Sequence, residues 1–277
     1  MIFWKYHGLG NDFVLVDGTG GDVEIDREWC RDVCRRNFGI GADGVLYVLP
    51  GEDTDITMRI INADGTEAEM CGNGIRCVAK YAYDSGLVKS QMFSIHTMAG
   101  DKEAQVSLGE DGKVSTVAID MGAPILNGRS IPINYDGRFI DEPFMIGSLR
   151  IRGTAVSMGN PHFVTFTELP EETINRLGPE LEKNEFFPKR TNVEFCSMKE
   201  GKIHVRVYER GAAWTLACGT GACASTVAAA LIGLVPFDSP VDVRLPGGWL
   251  KITVARDMDC VIMEGPAEFV FKGEMTI

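Results

Sequence analysis

Met70-Cys71-Gly72-Asn73-Gly74 returns later in the chain as Ala217-Cys218-Gly219-Thr220-Gly221. The two cysteines are 147 positions apart (218 minus 71), and at that offset Ala82 falls on Ala229, Gly86-Leu87-Val88 on Gly233-Leu234-Val235, and Gly100 on Gly247 without a gap. Upstream, Gly10-Asn11-Asp12-Phe13-Val14 is echoed by Gly159-Asn160-Pro161-His162-Phe163-Val164, with one residue inserted. Self-similarity at so long a period describes two copies of one structural unit. Each copy carries a Cys-Gly-X-Gly turn ahead of a helical stretch.

Working outward, the segment after Cys71 reads as a helix over residues 75–85, closed by Gly86 at the position where a left-handed residue ends a helix. The segment after Cys218 is apolar throughout and closes at Gly233. Its Gly, Ala, Ser and Thr content, with Glu209 and Asp238 on either side, marks a fully buried core helix rather than a membrane span. Asp26 is placed to cap a short helix over 27–36, on which Cys30 and Cys34 share one face as core packing. Strands are expected at 55–62, 92–98, 103–108 and 114–121 in the first half. In the second they are expected at 154–167, 202–208, 241–245, 250–254, 260–263 and 268–271, with a helix over 171–183. The turn-rich region 124–143 is the expected join. The pattern is a mixed α/β chain whose sheets curl around one buried helix per half. Residues 1–120, joined by a C-terminal strand over 266–277, form one half and 121–265 the other.

The chain has 277 residues, 45% of them apolar and 24% charged, with a net charge of −12. That charge argues against nucleic acid or an anionic membrane as partner. No basic segment followed by an apolar run opens the chain, and eight cysteines at this length fit a reducing cytoplasm better than a disulfide framework. Gly39-Ile40-Gly41-Ala42-Asp43-Gly44 spells a dinucleotide fingerprint, but a strand rather than a helix follows it, so no nucleotide is expected. His7, His96, His162 and His204 have no metal-ligand spacing, and no metal is expected.

The repeated turn carries the chemistry. Glycines let a ligand approach the backbone, and the first N–H groups of a helix have no intrahelical partner. Together with the helix dipole they form a cradle for a carboxylate. A cysteine there is expected to ionise more readily. Two such turns facing one another across a cleft would present an α-carbon to a sulfur on each side. One thiolate would remove the proton and the opposite thiol would return one, inverting the centre. Buried packing of thiols is the alternative, and for Cys77, Cys196, Cys223 and Cys260 it is the reading adopted. For Cys71 and Cys218 the matched glycine frames favour catalysis.

At this level of detail the chain resembles the diaminopimelate epimerases. The motifs carrying the resemblance are Gly8-Leu9-Gly10-Asn11-Asp12-Phe13, Gly39-Ile40-Gly41-Ala42-Asp43-Gly44, Asn62-Ala63-Asp64-Gly65, Met70-Cys71-Gly72-Asn73-Gly74-Ile75-Arg76-Cys77, Gly159-Asn160-Pro161-His162, Thr191-Asn192-Val193-Glu194-Phe195, Glu209-Arg210-Gly211 and Ala217-Cys218-Gly219-Thr220-Gly221-Ala222-Cys223. The resemblance implies two pseudo-symmetric domains, each a mixed barrel-like sheet around a central helix, with the active site in the cleft between them. It implies Cys71 and Cys218 as the acid–base pair, supported by His162 and Glu209. Gly72, Asn73, Gly219 and Thr220 would hold the reacting carboxylate. Asn11, Asn62, Asn160 and Asn192 would line the distal pocket, with Arg210 on the distal carboxylate and Glu209 on an ammonium group. It further implies LL- and meso-diaminopimelate as substrates, no cofactor, and a homodimer. A proline- or hydroxyproline-type two-cysteine enzyme, or a non-catalytic amino-acid-binding module, would share the same frame. Two positions depart from the family pattern: Ala212-Ala213-Trp214-Thr215 replaces a segment that usually carries an acidic residue, and Gly44 stands where some members carry Gln.

Overall fold

The computed structural model describes residues 1–21 and 23–275. The chain divides into two compact units, Met1–Asp120 with the segment from Glu264 onward, and Met121–Met263.

In the first unit β1 (Ile2–Gly8) pairs antiparallel with β2 (Asn11–Asp17), and α1 (Arg27–Cys34) leads to β3 (Gly44–Pro50), which lies parallel to β2. β4 (Ile56–Asn62) pairs antiparallel with β3 and with the two-residue β5 (Glu67–Ala68). Then α2 (Gly72–Asp84) precedes β6 (Met92–His96), β7 (Lys102–Leu108) and β8 (Val114–Asp120), with β6 parallel to β4 and the last three strands antiparallel in sequence. α2 contacts β1, β2, β3, β4, β7 and β8, which explains why it is buried from Gly72 through Ala82. Asp26 caps α1 by accepting from Glu28 N at 2.8 Å and Trp29 N at 3.2 Å, and Cys30 and Cys34 are buried in the core beneath it.

The second unit repeats the scheme. It opens with β9 (Glu142–Ile146) and β10 (Leu149–Ser157), and β11 (Pro161–Thr165) then pairs antiparallel with β10. α3 (Glu171–Glu182) leads to β12 (Asn192–Lys199), parallel to β11, and β13 (Lys202–Glu209) pairs antiparallel with β12 and with β14 (Ala213–Trp214). α4 (Gly219–Leu231) follows, then β15 (Val241–Leu245), parallel to β13, and β16 (Gly248–Val254). α4 contacts β10, β11, β12, β13, β15 and β16, of which β10 to β13 and β16 are the counterparts of β1 to β4 and β7 around α2. Its small side chains let strands close in on it from all sides, and no helix among the described residues is long and apolar enough to cross a membrane. β17 (Val261–Gly265) carries the chain back, and β18 (Glu268–Glu274) pairs antiparallel with β1.

The structure departs from the sequence reading in two places. The units divide between Asp120 and Met121, so residues 124–143 are not the join. They belong to the second unit, where Ile131, Ile133 and Phe139 enter an aromatic core with Phe144, Phe163 and Phe187. β9 went unread because Pro143 resembles a turn residue, and β12 because Glu194 interrupts its apolar run. Over the segment 266–277, where a C-terminal strand is expected, β18 runs from Glu268 to Glu274, and residues 276 and 277 lie outside the described residues.

Candidate active site

In the first unit Cys71 is the N-cap of α2, held in extended conformation at φ −138 and ψ 118. Its Sγ accepts from Gly74 N at 3.5 Å and donates to Asn11 Oδ1 at 3.7 Å. Asn73 Nδ2 donates to the same oxygen at 3.2 Å, so Asn11, Cys71 and Asn73 form one cluster. Asn11 Nδ2 in turn donates to Asp43 Oδ2 at 2.8 Å, and Arg36 bridges Asp43 and Asp12 at 2.7 Å each. Beneath the turn lies Arg76, fully buried, donating to Gly72 O at 2.8 Å, Asn73 Oδ1 at 2.9 Å and Pro266 O at 3.2 Å. A buried guanidinium tolerates desolvation only when its fork of donors is matched, as here.

In the second unit Cys218 is the N-cap of α4, also extended at φ −129 and ψ 106. Its Sγ lies 3.5 Å from Thr220 Oγ1, which accepts from Asn160 Nδ2 at 3.3 Å. Asn160 Oδ1 lies 2.9 Å from His162 Nε2, and His162 Nδ1 lies 2.7 Å from Glu194 Oε1. His162 and Glu194 are both fully buried. Gly221 is required by close approach: a Cβ there would stand 2.8 Å from Glu194 Oε1 and 3.3 Å from Cys218 Sγ.

The thiol expectation is reversed at Cys218. Burial, and then the Glu209 carboxyl, push this thiol well above its ordinary value despite the helix N-terminus. Burial likewise raises Glu194. Cys77 is pushed up to about 12 by burial, and Cys196 is raised by burial too, as packed core thiols should be.

The remaining nominated residues are hydrogen-bonded to other parts of the protein. Asn62 Nδ2 donates to Thr66 Oγ1 at 3.1 Å across the Asp64-Gly65 turn. Asn192 donates to Pro161 O at 2.9 Å and accepts from Arg210 N at 2.8 Å, which fixes where the Arg210 side chain starts. Arg210 Nη1 donates to Lys189 O at 3.2 Å, and Glu209 Oε1 accepts from Thr215 at 2.5 Å. At the departures, a Cβ on Gly44 would lie 2.8 Å from Ile61 O, so the backbone of β4 leaves no room for a side chain there. Trp214 packs on Tyr208 and Phe195 with the Arg206 guanidinium 4.7 Å from its ring, a packing role in place of an acidic one. Sequence reasoning overlooked Glu194, Arg76, Asp43 and Thr215. The available signals were one acid in the apolar run Val193–Cys196 and one Arg between Ile75 and Cys77 in the first turns of a buried helix. No cluster of three or more His, Cys, Asp or Glu side chains suited to a metal occurs among the described residues.

A family model described as diaminopimelate epimerase matches residues 3–126 and 154–270. The diaminopimelate epimerase of Desulfitobacterium hafniense is 46% identical, over 97% of this chain and 96% of that one. That of Moorella thermoacetica is also 46% identical, over the full length of both. Among solved structures, a Bacillus anthracis phenazine biosynthesis protein of the PhzF family superposes with a TM-score of 0.72 at 18% identity, covering 100% of this chain and 99% of its own. A probable proline racemase from Agrobacterium radiobacter gives 0.70 at 14% identity, covering 100% and 93%. At these identities the structures speak to the fold alone: a mixed α/β architecture shared across several chemistries. With the family model spanning most of the chain and relatives matching end to end, the chain belongs to the diaminopimelate epimerase family.

Proposed function

We propose that this chain is a cofactor-independent epimerase interconverting LL- and meso-2,6-diaminopimelate, with Cys71 and Cys218 as its two bases. Residues 1–120 with the C-terminal strand supply one cysteine and residues 121–265 the other. The observation that carries the reading is the matched pair: two extended N-cap cysteines opening two buried helices at equivalent places in a repeated unit, in a chain of this family.

In the reaction a thiolate takes the α-proton and becomes a thiol. The electron pair left behind delocalises into the carboxylate, whose oxygens accept from the first N–H groups of α2 and α4 at Gly72-Asn73 and Gly219-Thr220. The other cysteine delivers its proton to the opposite face and becomes the thiolate. The reverse reaction swaps the roles. Arg210 offers a planar fork to the distal carboxylate, Glu209 accepts from the distal ammonium, and Asn11, Asn62, Asn160 and Asn192 complete the pocket. His162 supports the Cys218 side. The working assembly in this reading is a cytoplasmic homodimer.

Incubation of reduced protein with LL-diaminopimelate and no added cofactor, followed by chiral chromatography, tests the substrate. Accumulation of the meso form is expected. Turnover of proline or hydroxyproline instead would replace the substrate, and calorimetric binding of diaminopimelate without any turnover would replace the enzyme by a binding module.

A further inference from the structure

The repeat exposes one residue that the two halves do not share. Val14 on β2 is paired with Val45 on β3. Its repeat-mate Val164 on β11 is paired with Glu194 on β12. Glu194 therefore occupies the position that Val45 fills in the first unit, and both are fully buried. A carboxyl buried where the fold accepts valine is costly, and packing alone does not require it.

Hydrogen-bond bookkeeping gives it a task. Asn160 Oδ1 has no hydrogen to give, so His162 Nε2 carries the proton in that contact. Asn160 Nδ2 then donates to Thr220 Oγ1, which frees the Thr220 hydroxyl hydrogen to point at Cys218 Sγ. All three bonds run toward the sulfur, the direction that stabilises a thiolate there. At the far end one proton lies between His162 Nδ1 and Glu194 Oε1. Among the described residues no hydrogen-bond partner reaches Glu194 Oε2, and burial favours the uncharged acid, so the proton belongs to Glu194 and is donated to Nδ1.

We propose that Glu194 is a positioning residue: as a neutral acid it holds the His162 ring in the Nε2–H form, and through Asn160 and Thr220 it aims a hydroxyl at Cys218. The catalytic consequence rests on the two-base reading above. The charged and titratable groups facing Cys218 are Glu209 at the end of β13 and Glu194 on β12; Glu194 itself faces His162 on β11, Glu209, Cys196 and Cys218.

The test follows the Cys218 thiol directly, by NMR titration of the full chain carrying 13Cβ-labelled cysteine, with the resonance assigned by its loss in Cys218→Ala. No substrate is needed, so the outcome does not depend on the epimerase reading. Glu194→Val, the residue of the first unit, should raise the Cys218 midpoint by about one pH unit, the size expected for one lost hydrogen bond to a charged group. Glu194→Gln, whose amide N–H can replace the acid proton on Nδ1, should return the midpoint to within a few tenths of wild type. Thr220→Val, which removes the last donor, should raise it as Glu194→Val does. If Glu194 is instead an anion beside the sulfur, both Glu194 variants lower the midpoint, and Glu194→Gln alone then overturns the proposal even where Glu194→Val fails to fold. Unchanged midpoints in all three variants overturn it equally. In turnover, Glu194→Val should lower kcat roughly 10- to 100-fold with KM within about threefold, and Glu194→Gln should recover at least tenfold of a 100-fold loss. A merely structural residue would lower Tm without moving the titration.

Discussion

Arg76→Met is the most informative single change in the first unit. Methionine preserves the aliphatic stem and much of the volume but removes the donors to Gly72 O, Asn73 Oδ1 and Pro266 O. Two buried acceptors and one part-buried acceptor then lose a charged partner, each a loss of about 1–3 kcal/mol. Against this, the wild-type guanidinium is fully buried, and relief of its desolvation returns several kcal/mol. The balance is a net loss of about 3–4 kcal/mol, within the range for breaking a buried charged network. At about 3 °C per kcal/mol for a domain of this size, Tm should fall by about 10 °C. Because Asn73 loses the bond that orients its amide, KM should also rise in the variant that remains folded at 15 °C. Circular dichroism melts and initial rates measure both. A Tm within 2 °C of wild type together with an unchanged KM would refute the claim that this buried charge organises the turn.

Other consequences are more local. Gly221→Ala forces a methyl to 2.8 Å from Glu194 Oε1, whereas Gly74→Ala brings one to 3.0 Å from the flexible end of Leu46. The first should therefore reduce kcat roughly 100-fold and the second by less than about tenfold, since side-chain overpacking typically costs 1–3 kcal/mol; equal losses would contradict the geometry. At low pH, the Arg59 guanidinium beside Glu67, followed by Arg27, holds that carboxyl below the usual range. A depressed acid contributes stability above its unfolded value, about 4.3, and that stability is lost as pH falls through the lower folded value. Glu67→Gln should thus lose about 1 kcal/mol at pH 7 and nothing at pH 2, read by urea unfolding at both; a difference that persists at pH 2 would contradict the pairing.

What could be read in advance follows from which forces act locally. The repeat, the two buried helices and the cysteine turns were legible because glycine frames and helix-closing glycines at 86 and 233 are local backbone requirements. Asp26 as a cap was legible for the same reason. Glu194, Arg76 and Asp43 were not, because their roles arise from strand register and burial. Nothing near Glu194 in sequence announces that parallel pairing of β11 with β12 brings it to His162. The ease of ionisation expected at Cys218 from a helix N-terminus alone is opposed by its burial and by the Glu209 carboxyl, which only the fold brings there. Asn62 and Asn192 were nominated for substrate; in the structure Asn62 donates across its own turn to Thr66 and Asn192 donates to Pro161 O on the neighbouring strand, contacts that only the fold reveals.

The central claim is that two sulfurs act on opposite faces of one carbon. The direct measurement is conversion of LL-diaminopimelate in D2O, stopped at low conversion, with deuterium located by mass spectrometry in product and in recovered substrate. Two monoprotic bases predict deuterium in the meso product and little in the remaining LL substrate, with both signals abolished in Cys71→Ala and in Cys218→Ala. Equal labelling of product and recovered substrate, or full turnover in either variant, would contradict the account.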